Sequence, residues 1–203
     1  QNITNWVISK NYKCKLIHIS TDQIYDSQIG TLNKEDDISL KNYYAFSKYS
    51  GELIAAQTTS IILRTNFFGK SKTSIKSSLT DWLFRELIEG NNIDVFEDVR
   101  FNPLSMHNLC KMIELVVERK IEGVFNLGSN DGMNKADFAM HFAKALNLST
   151  STMKRAKVSD AKFLNAYRPK NMIMNLNKFE QKFNFKLPKL IEEINLVAVE
   201  YSK

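Results

Sequence analysis

The segment between residues 15 and 65 contains two short apolar runs separated by a helical pattern. Residues 15–20 (KLIHIS) and Ser60–Thr65 (SIILRT) are rich in β-branched side chains, as buried strands are. The residues between them, from about 42 to 57, are mostly good helix formers. A strand, a helix and a second strand in this order predict a parallel sheet. We therefore expect an α/β protein.

The remaining sequence continues this alternation and then becomes less regular. Helices are predicted over residues 79–89, 106–119, 134–146 and 188–201, and strands over Ile93–Phe96 and Gly123–Leu127. Residues 149–187 mix short helical pieces with an extended stretch at 172–175. Pro188 is expected in the first turn of the last helix. A composition shift near residues 65–70 predicts a seam between a sheet core, residues 1–70, and a second lobe, residues 71–203.

Composition excludes several classes of protein. The 203 residues are 43% hydrophobic and 25% charged, as in a globular domain with a core, and no apolar stretch is long enough to span a membrane or resemble a signal peptide. We expect a cytoplasmic protein that does not bind membranes. Its two cysteines, Cys14 and Cys110, are expected to be free thiols, and the spacing of its three histidines predicts no metal site.

Positive charge is concentrated near the C-terminus. Ten basic and two acidic residues lie between Thr150 and Leu190, whereas the whole chain has a net charge of +6. A solvated lysine-rich surface explains this as well as a site for a multiply anionic small molecule does. Nucleic acid is not expected as a partner, because the basic residues are not interleaved with aromatic ones and no nucleic-acid motif is present.

Two groups of polar residues could carry chemistry. The first predicted strand ends in Ser20, Thr21 and Asp22, and the carboxyl ends of parallel strands line the ligand crevice of such sheets. Tyr44 and Lys48 are four residues apart, which places them on one face of the predicted helix. An ammonium near a phenol stabilises the phenolate, so such a pair can donate and accept a proton. Taken alone, this spacing also arises by chance in helices.

Six segments in the same order and spacing resemble the extended short-chain dehydrogenase/reductases, and among them the dTDP-4-dehydrorhamnose reductase family. They are HISTDQIYD, YYAFSKYSGE, IILRTNFFG, FNPLSMHNLCKMIELV, GVFNLGSNDGMNKADFAMHFAKAL and RPKNMIMNLNKFEQKF. The resemblance implies a Rossmann-like doubly wound parallel sheet and a small α/β C-terminal lobe that holds a nucleotide-sugar. Residues 1–70 would then be part of an NAD(P)-binding domain, and residues 71–203 mainly the substrate lobe, interleaved with returning core elements.

The resemblance also implies roles for individual residues. Tyr44 would be the catalytic acid that protonates the sugar oxygen, Lys48 would hold the nicotinamide ribose of NADPH or NADH, and Thr21 would hydrogen-bond the same carbonyl oxygen. Ser20 is implied as a second cofactor contact, and Asp22 as a second substrate contact.

Three later residues are implied as further contacts. Asn66 and Phe67 correspond to the stretch that touches nicotinamide and sugar, although a capped strand end with an apolar plug explains them nearly as well. Arg168, in the late Arg-Pro motif, is implied as a substrate contact. The basic C-terminal segment fits a diphosphate ligand, and the resemblance leaves a homodimer open.

Two departures from the family pattern bear on function. Gln23 stands where nucleotide-sugar dehydratases carry a glutamate, and an amide cannot act as a general base, which disfavours dehydration. None of the seven glycines forms a dinucleotide-binding fingerprint. We therefore expect residues 1–203 to be a fragment of a longer enzyme, inactive on its own and unable to hold the cofactor's pyrophosphate.

The expected function is reduction of a 4-keto nucleotide-sugar with NADPH or NADH in deoxysugar or polysaccharide biosynthesis. A nucleotide-sugar 4-epimerase is the alternative enzyme, since it uses the same Tyr/Lys pair with a retained NAD⁺. A non-catalytic regulatory subunit resembling the methionine adenosyltransferase beta subunit is the alternative binding role.

Overall fold

A computed structural model describes residues 1–10, 14–73, 75–161 and 164–202. The helices are Asn2–Ser9 (α1), Tyr43–Ala55 (α2), Leu79–Ile88 (α3), Met106–Glu118 (α4), Lys135–Ala145 (α5), Asn177–Phe183 (α6) and Leu190–Ala198 (α7). The strands are Leu16–Ile19 (β1), Ser60–Thr65 (β2), Phe67–Phe68 (β3), Ile93–Phe96 (β4), Arg100–Phe101 (β5), Leu104–Ser105 (β6), Gly123–Leu127 (β7), Met133–Asn134 (β8) and Met153–Ala156 (β9). Two 3₁₀ helices cover Asp22–Ile24 and Val158–Asp160.

The central sheet consists of β1, β2 and β7, in that order, and both pairings are parallel. All six residues of β2 are buried, as expected for the middle strand of a sheet covered on both faces. The parallel α/β sheet predicted from the sequence is therefore confirmed. Its third strand comes from far along the chain, after α4, so the sheet combines residues from both sides of the predicted seam.

A second, two-stranded parallel sheet pairs β4 with β9. The sequence pattern predicts β4 but not β9, in which Lys154 and Arg155 are charged and exposed while Met153 and Ala156 are only half-buried. This strand is formed by pairing with β4 and gives no apolar alternation of its own. The remaining strands form short two-residue pairs, β3 with β6 and β5 with β8.

Two clusters of buried apolar side chains form the core. One cluster lies around the central sheet and includes Ile61, Leu63 and Phe125 from the strands and Phe179 and Phe183 from α6. The other lies among α3, α5, α7 and the β4–β9 sheet. The seam near residues 65–70 and the assignment of the two regions to cofactor and substrate remain predictions.

The last helix begins later than the sequence predicts. Pro188 was expected in its first turn, but α7 begins at Leu190 with Lys189 as its N-cap. The Pro188 carbonyl accepts a hydrogen bond from the Asn130 backbone at 2.8 Å, and Lys189 forms a parallel bridge with Asn130. This extended pairing delays the helix by two residues.

Cys14 and Cys110 are free and exposed, as predicted. Among the residues that the structure describes, no helix is long and apolar enough to cross a membrane.

Candidate functional site

Polar side chains meet where β1 and β2 end. Thr21 and Asp22 follow β1 directly, and Asn66 follows β2. The Asn66 side-chain amide donates a hydrogen bond to Asp22 Oδ2 at 2.8 Å, and Thr21 caps the short helix Asp22–Ile24 by accepting from the Gln23 backbone at 3.2 Å. Thr21 and Asp22 are both buried. The structure thus brings together three of the residues expected at the site.

Asp22 lies in an electrostatic environment that the sequence does not reveal. Burial raises its pKa to about 6, although the hydrogen bond from Asn66 and the positive charge of Lys135 oppose this change. Lys135 is the first residue of α5. Burial lowers the pKa of Lys135, the charge of Asp22 raises it, and the like charge of Arg168 lowers it further. Lys135 therefore lies within electrostatic range of two expected site residues.

Tyr44 and Lys48 lie in the first half of α2. The Asn42 side chain caps this helix by accepting a hydrogen bond from the Ala45 backbone at 2.8 Å. Tyr44 is about half exposed, and the Lys48 ammonium donates to the Ile19 carbonyl at the end of β1 at 2.7 Å. Lys48 thus ties the helix to the same strand end that leads into Thr21 and Asp22.

Arg168 lies in an irregular segment that Asp26 and Asn42 hold in place. Asp26 accepts hydrogen bonds from the Tyr167 hydroxyl and from the Lys170 backbone, both at 2.7 Å. Asn42 donates to the Tyr167 carbonyl at 3.1 Å. The same asparagine therefore both caps the helix of Tyr44 and binds the residue next to Arg168.

Three neighbouring cavities are lined by Tyr44, Arg168 and Lys135, whereas Thr21, Asp22, Lys48 and Asn66 are not among their lining residues. The first, about 780 Å³, is lined by Tyr44, Gln23 and Arg168 among others. The second, about 190 Å³, shares Gln23 and Arg168 with the first and adds Lys135. The third, about 550 Å³, shares Lys135 and Phe96 with the second. The three cavities therefore adjoin one another in a row from Tyr44 past Arg168 and Lys135 to the β4–β9 sheet, and we call this row the trough.

Two of the expected site residues are engaged elsewhere. The Ser20 hydroxyl donates to the buried Glu52 carboxylate, which pairs with Arg64, so Ser20 belongs to a buried polar network. Phe67 is about half exposed and lines a different cavity, with Met106 and Cys110, instead of the trough. The structure does not place Phe67 beside Tyr44, and the roles expected for Ser20 and Phe67 remain predictions.

Three residues at this site were not singled out as site residues in the sequence. Lys135 follows the N-cap Asn134 and has the pattern of an ordinary first helical residue. Asp26 belongs to the quoted segment HISTDQIYD, and its position near the strand end was a usable signal. Gln23 lines both the first and the second cavity, but the sequence marked it only as a departure from the dehydratase pattern.

The basic C-terminal segment is divided between two kinds of environment. Four of its cations form ion pairs with acidic residues: Arg155 with Asp137, Lys170 with Asp98, Lys186 with Glu180 and Lys189 with Asp131. Within the described ranges Arg168 has no acidic partner, and it lines the trough. Lys162 lies outside the described residues. Part of the segment is thus solvated surface, and Arg168 remains available to an anion.

Curated proteins similar to this chain include both a regulatory subunit and a reductase. Methionine adenosyltransferase 2 subunit beta of Rattus norvegicus is 26% identical over 175 residues, which cover 81% of this chain and 51% of the relative. A probable low-salt glycan biosynthesis reductase, Agl14 of Haloferax volcanii, is 20% identical over 191 residues, which cover 92% of this chain and 63% of the relative. The chain spans about half the length of the methionine adenosyltransferase subunits it matches.

Solved structures share the fold. A dTDP-4-dehydrorhamnose reductase from Bacillus anthracis, in complex with NADP, superposes with a TM-score of 0.84 at 21% identity, covering 92% of this chain and 66% of the other. The orthologue from Clostridium acetobutylicum superposes with a TM-score of 0.87 at 17% identity, covering 100% of this chain and 70% of the other. A dTDP-glucose 4,6-dehydratase from Bacillus anthracis, in complex with NAD, gives 0.80 at 18% identity, covering 98% and 65%. At these identities the likeness establishes the Rossmann-like α/β fold.

The sequence also matches the family model of the RmlD substrate binding domain over residues 4–202, nearly its whole length. The strand-end residues Thr21 and Asp22, the Tyr44–Lys48 helix and the late segment with Arg168 all lie within that match. The chain belongs to the RmlD substrate binding domain family.

Proposed function

We propose that this chain carries the proton-donating and substrate-binding residues of an enzyme that reduces a 4-keto nucleotide-sugar with NADPH or NADH. The observation that carries the proposal is that Tyr44 and Arg168 line the same cavity. Gln23, which follows the carboxyl end of β1, also lines it. A half-exposed phenol and an unpaired guanidinium in one cavity can act on a polar, anionic ligand. The family membership and the similarity to a dTDP-4-dehydrorhamnose reductase solved in complex with NADP support the same proposal.

The chain's own residues divide the work of carbonyl reduction. The Tyr44 hydroxyl is the proton donor to the carbonyl oxygen as that oxygen gains negative charge. Lys48, one helical turn further along α2, stabilises the phenolate that remains and favours reprotonation. Thr21, at the end of β1, hydrogen-bonds the same carbonyl oxygen and polarises the carbonyl group. In the structure Lys48 donates to the Ile19 carbonyl, which holds it at this strand end.

The residues on α2 fit the reactive end of a nicotinamide cofactor. A phenol and an ammonium one helical turn apart form a donor set suited to the hydroxyl groups of a ribose. Tyr44 and Lys48 would hold this end, with Asn66 nearby through its hydrogen bond to Asp22. When bound, the reduced cofactor supplies the hydride that the carbonyl carbon accepts.

The length of the trough supports an extended substrate. The sugar lies in the cavity of Tyr44, the phosphates pass Arg168, and the nucleoside lies toward the β4–β9 sheet. A diphosphate is held by cations that can offset its negative charge, and Arg168, which has no acidic partner among the described residues, is such a cation. The apolar side chains Trp82, Leu83 and Val95 in the third cavity offer a surface for a base.

Cofactor consumption separates the proposed reductase from an epimerase. The full-length protein is incubated with dTDP-4-dehydro-6-deoxy-L-mannose and NADPH or NADH, and nicotinamide absorbance is followed alongside product. We expect one cofactor oxidised for each sugar reduced. Isomerised sugar without net cofactor oxidation would establish epimerisation, and no change in either cofactor or sugar would reject an enzymatic role on this substrate.

A regulatory binding role is the second candidate, because several of the matched curated relatives are methionine adenosyltransferase beta subunits. Co-purification with a methionine adenosyltransferase, together with no keto-sugar reduction, would favour this role. The cavity that joins Tyr44 to Arg168 favours the enzyme, since a purely regulatory subunit does not require a proton donor in a ligand-sized cleft.

A further inference from the structure

Lys135 lies on the wall that the second and third cavities share. Its backbone is fixed, because its N–H donates to the Val99 carbonyl at 2.9 Å and Asn134 caps the helix that it begins. The side chain extends over the Phe101 ring, with the ammonium 5.8 Å from the ring centroid. The position of Lys135 at the start of its helix and its packing on Phe101 therefore place a cation beside the second cavity, the smallest of the three.

The Lys135 ammonium lacks an ordinary partner. Within the described part of the chain it forms neither a hydrogen bond nor an ion pair with an acid, and Asp22 affects it only through its charge. A partly buried ammonium without a partner costs free energy, because burial removes its hydration without replacing it. Arg168, a second cation without an acidic partner, lies within electrostatic range. Two such cations repel each other unless an anion lies between them or beside them.

We propose that Lys135, together with Arg168, binds the phosphoryl oxygens of the nucleoside diphosphate part of the substrate. This inference rests on the proposed function and specifies which residue recognises the charge of the ligand. The ammonium donates to a phosphoryl oxygen in a charge-assisted hydrogen bond, and the anion offsets the repulsion between the two cations. Burial lowers the pKa of Lys135, and the charge of Asp22 opposes this effect by favouring the charged ammonium.

A purely structural role for Lys135 makes a different prediction. If the lysine served only to balance the charge of Asp22, its replacement would change stability and affect all ligands alike. If it binds phosphate, its replacement affects only ligands that carry phosphates. The comparison of a nucleoside with its diphosphate separates the two roles.

The test is calorimetric binding of thymidine and dTDP, with the uridine/UDP and guanosine/GDP pairs in parallel so that the choice of base does not decide the result. The full-length protein is compared with the variants K135M and K135R. K144M is the matched control, because Lys144 is an exposed lysine in the last turn of the same helix and lines none of the three cavities.

We expect K135M to weaken binding of the preferred diphosphate about 10- to 100-fold, as the loss of a hydrogen bond to a charged group does. K135R should keep most of the affinity, K144M should change it less than about twofold, and nucleoside binding should be unchanged in all variants. The proposal is overturned by a loss below about fivefold in K135M, by an equal loss for the nucleoside, or by no diphosphate binding to the unaltered protein. Because binding requires no turnover, failure of keto-sugar reduction would reject the reductase proposal without affecting this result.

Discussion

The Asp26 carboxylate accepts a hydrogen bond from the Tyr167 hydroxyl at 2.7 Å, across 141 positions of sequence. The second carboxylate oxygen accepts from the Lys170 backbone, also at 2.7 Å. Arg168 lies between these two attachment points. An acid after the first strand thus attaches, on both sides of Arg168, the segment that brings this residue to the cavity of Tyr44.

Replacing Asp26 with alanine is expected to impair substrate binding more than chemistry. Without these two attachment points, residues 167–170 keep the bond from Asn42 to Tyr167 and the contacts of Lys170 with Asp98 and Arg100, so Arg168 is held less firmly against the substrate's phosphates. We expect D26A to raise KM for the nucleotide-sugar about tenfold and to change kcat by less than about threefold. Steady-state kinetics with saturating cofactor measures both.

The variant Y167F provides the matched comparison for D26A. It removes only the hydroxyl donor and keeps the bond between Asp26 and the Lys170 backbone. We expect a smaller rise in KM than in D26A. A large fall in kcat with KM unchanged in D26A would contradict the positioning role of Asp26.

Asp22 makes stability depend on pH in a direction that can be measured. Its pKa is about 6 in the folded protein against an ordinary value of 3.8, so the folded state binds the proton more tightly than the unfolded chain. Stability from this residue therefore falls as pH rises from about 4 to 6 and is constant above that range. A pKa difference of about two corresponds to up to about 3 kcal/mol.

The variant D22N cannot ionise and should escape this loss. Relative to the wild type, its free energy of unfolding should increase by up to about 3 kcal/mol between pH 4 and pH 7. Urea unfolding of both proteins at several pH values gives the difference. A difference that stays constant with pH, or decreases, would show that burial of Asp22 does not disfavour its charge.

The buried pair of Glu52 and Arg64 should be the most sensitive ion pair that the structure describes. The Arg64 guanidinium donates to Glu52 at 2.7 Å, and both side chains are almost fully buried. E52Q leaves the guanidinium without its counter-charge, which costs about 3–5 kcal/mol of unfolding free energy. Chemical denaturation measures this loss.

The exposed pair of Lys189 and Asp131, 3.4 Å apart, is the control for E52Q. D131N should change stability by less than about 1 kcal/mol, because water screens the pair and asparagine tolerates the positive φ of this position. Equal losses in E52Q and D131N would show that burial does not decide the strength of these pairs.

The central sheet was predictable because β1, β2 and β7 are short, mainly apolar runs, and β2 is rich in β-branched residues. The strand β9 was not, since Lys154 and Arg155 point to solvent and its pairing depends on β4, about sixty residues earlier. Pro188 misled the prediction of α7 because its pairing partner, Asn130, is equally distant in sequence. Local sequence patterns thus identify most helices and strands, whereas pairing with distant residues decides where some of them begin or whether they form.

In the candidate site, too, local relationships were predictable from the sequence and distant ones were not. Tyr44 and Lys48 share a helix, so their spacing alone indicates a common face. Lys135 was not predictable, because it has the pattern of an ordinary first helical residue and its place in the cavity wall depends on residues distant in sequence, such as Gln23 and Arg168. The separation of Phe67 from Tyr44 is likewise set by tertiary packing of β3 against β6.

The role of Tyr44 as proton donor can be tested directly, because Tyr43 offers a control. The two tyrosines are adjacent on α2 and line the same cavity, but Tyr43 is 95% exposed and lacks the i+4 relationship with Lys48, so Y43F measures the effect of losing a hydroxyl there without the paired lysine. The measurement is kcat/KM for keto-sugar reduction by the full-length wild type, Y44F and Y43F. We expect kcat/KM to fall at least about 100-fold in Y44F and less than about twofold in Y43F; equal activities of Y44F and the wild type would contradict the role of Tyr44 as proton donor.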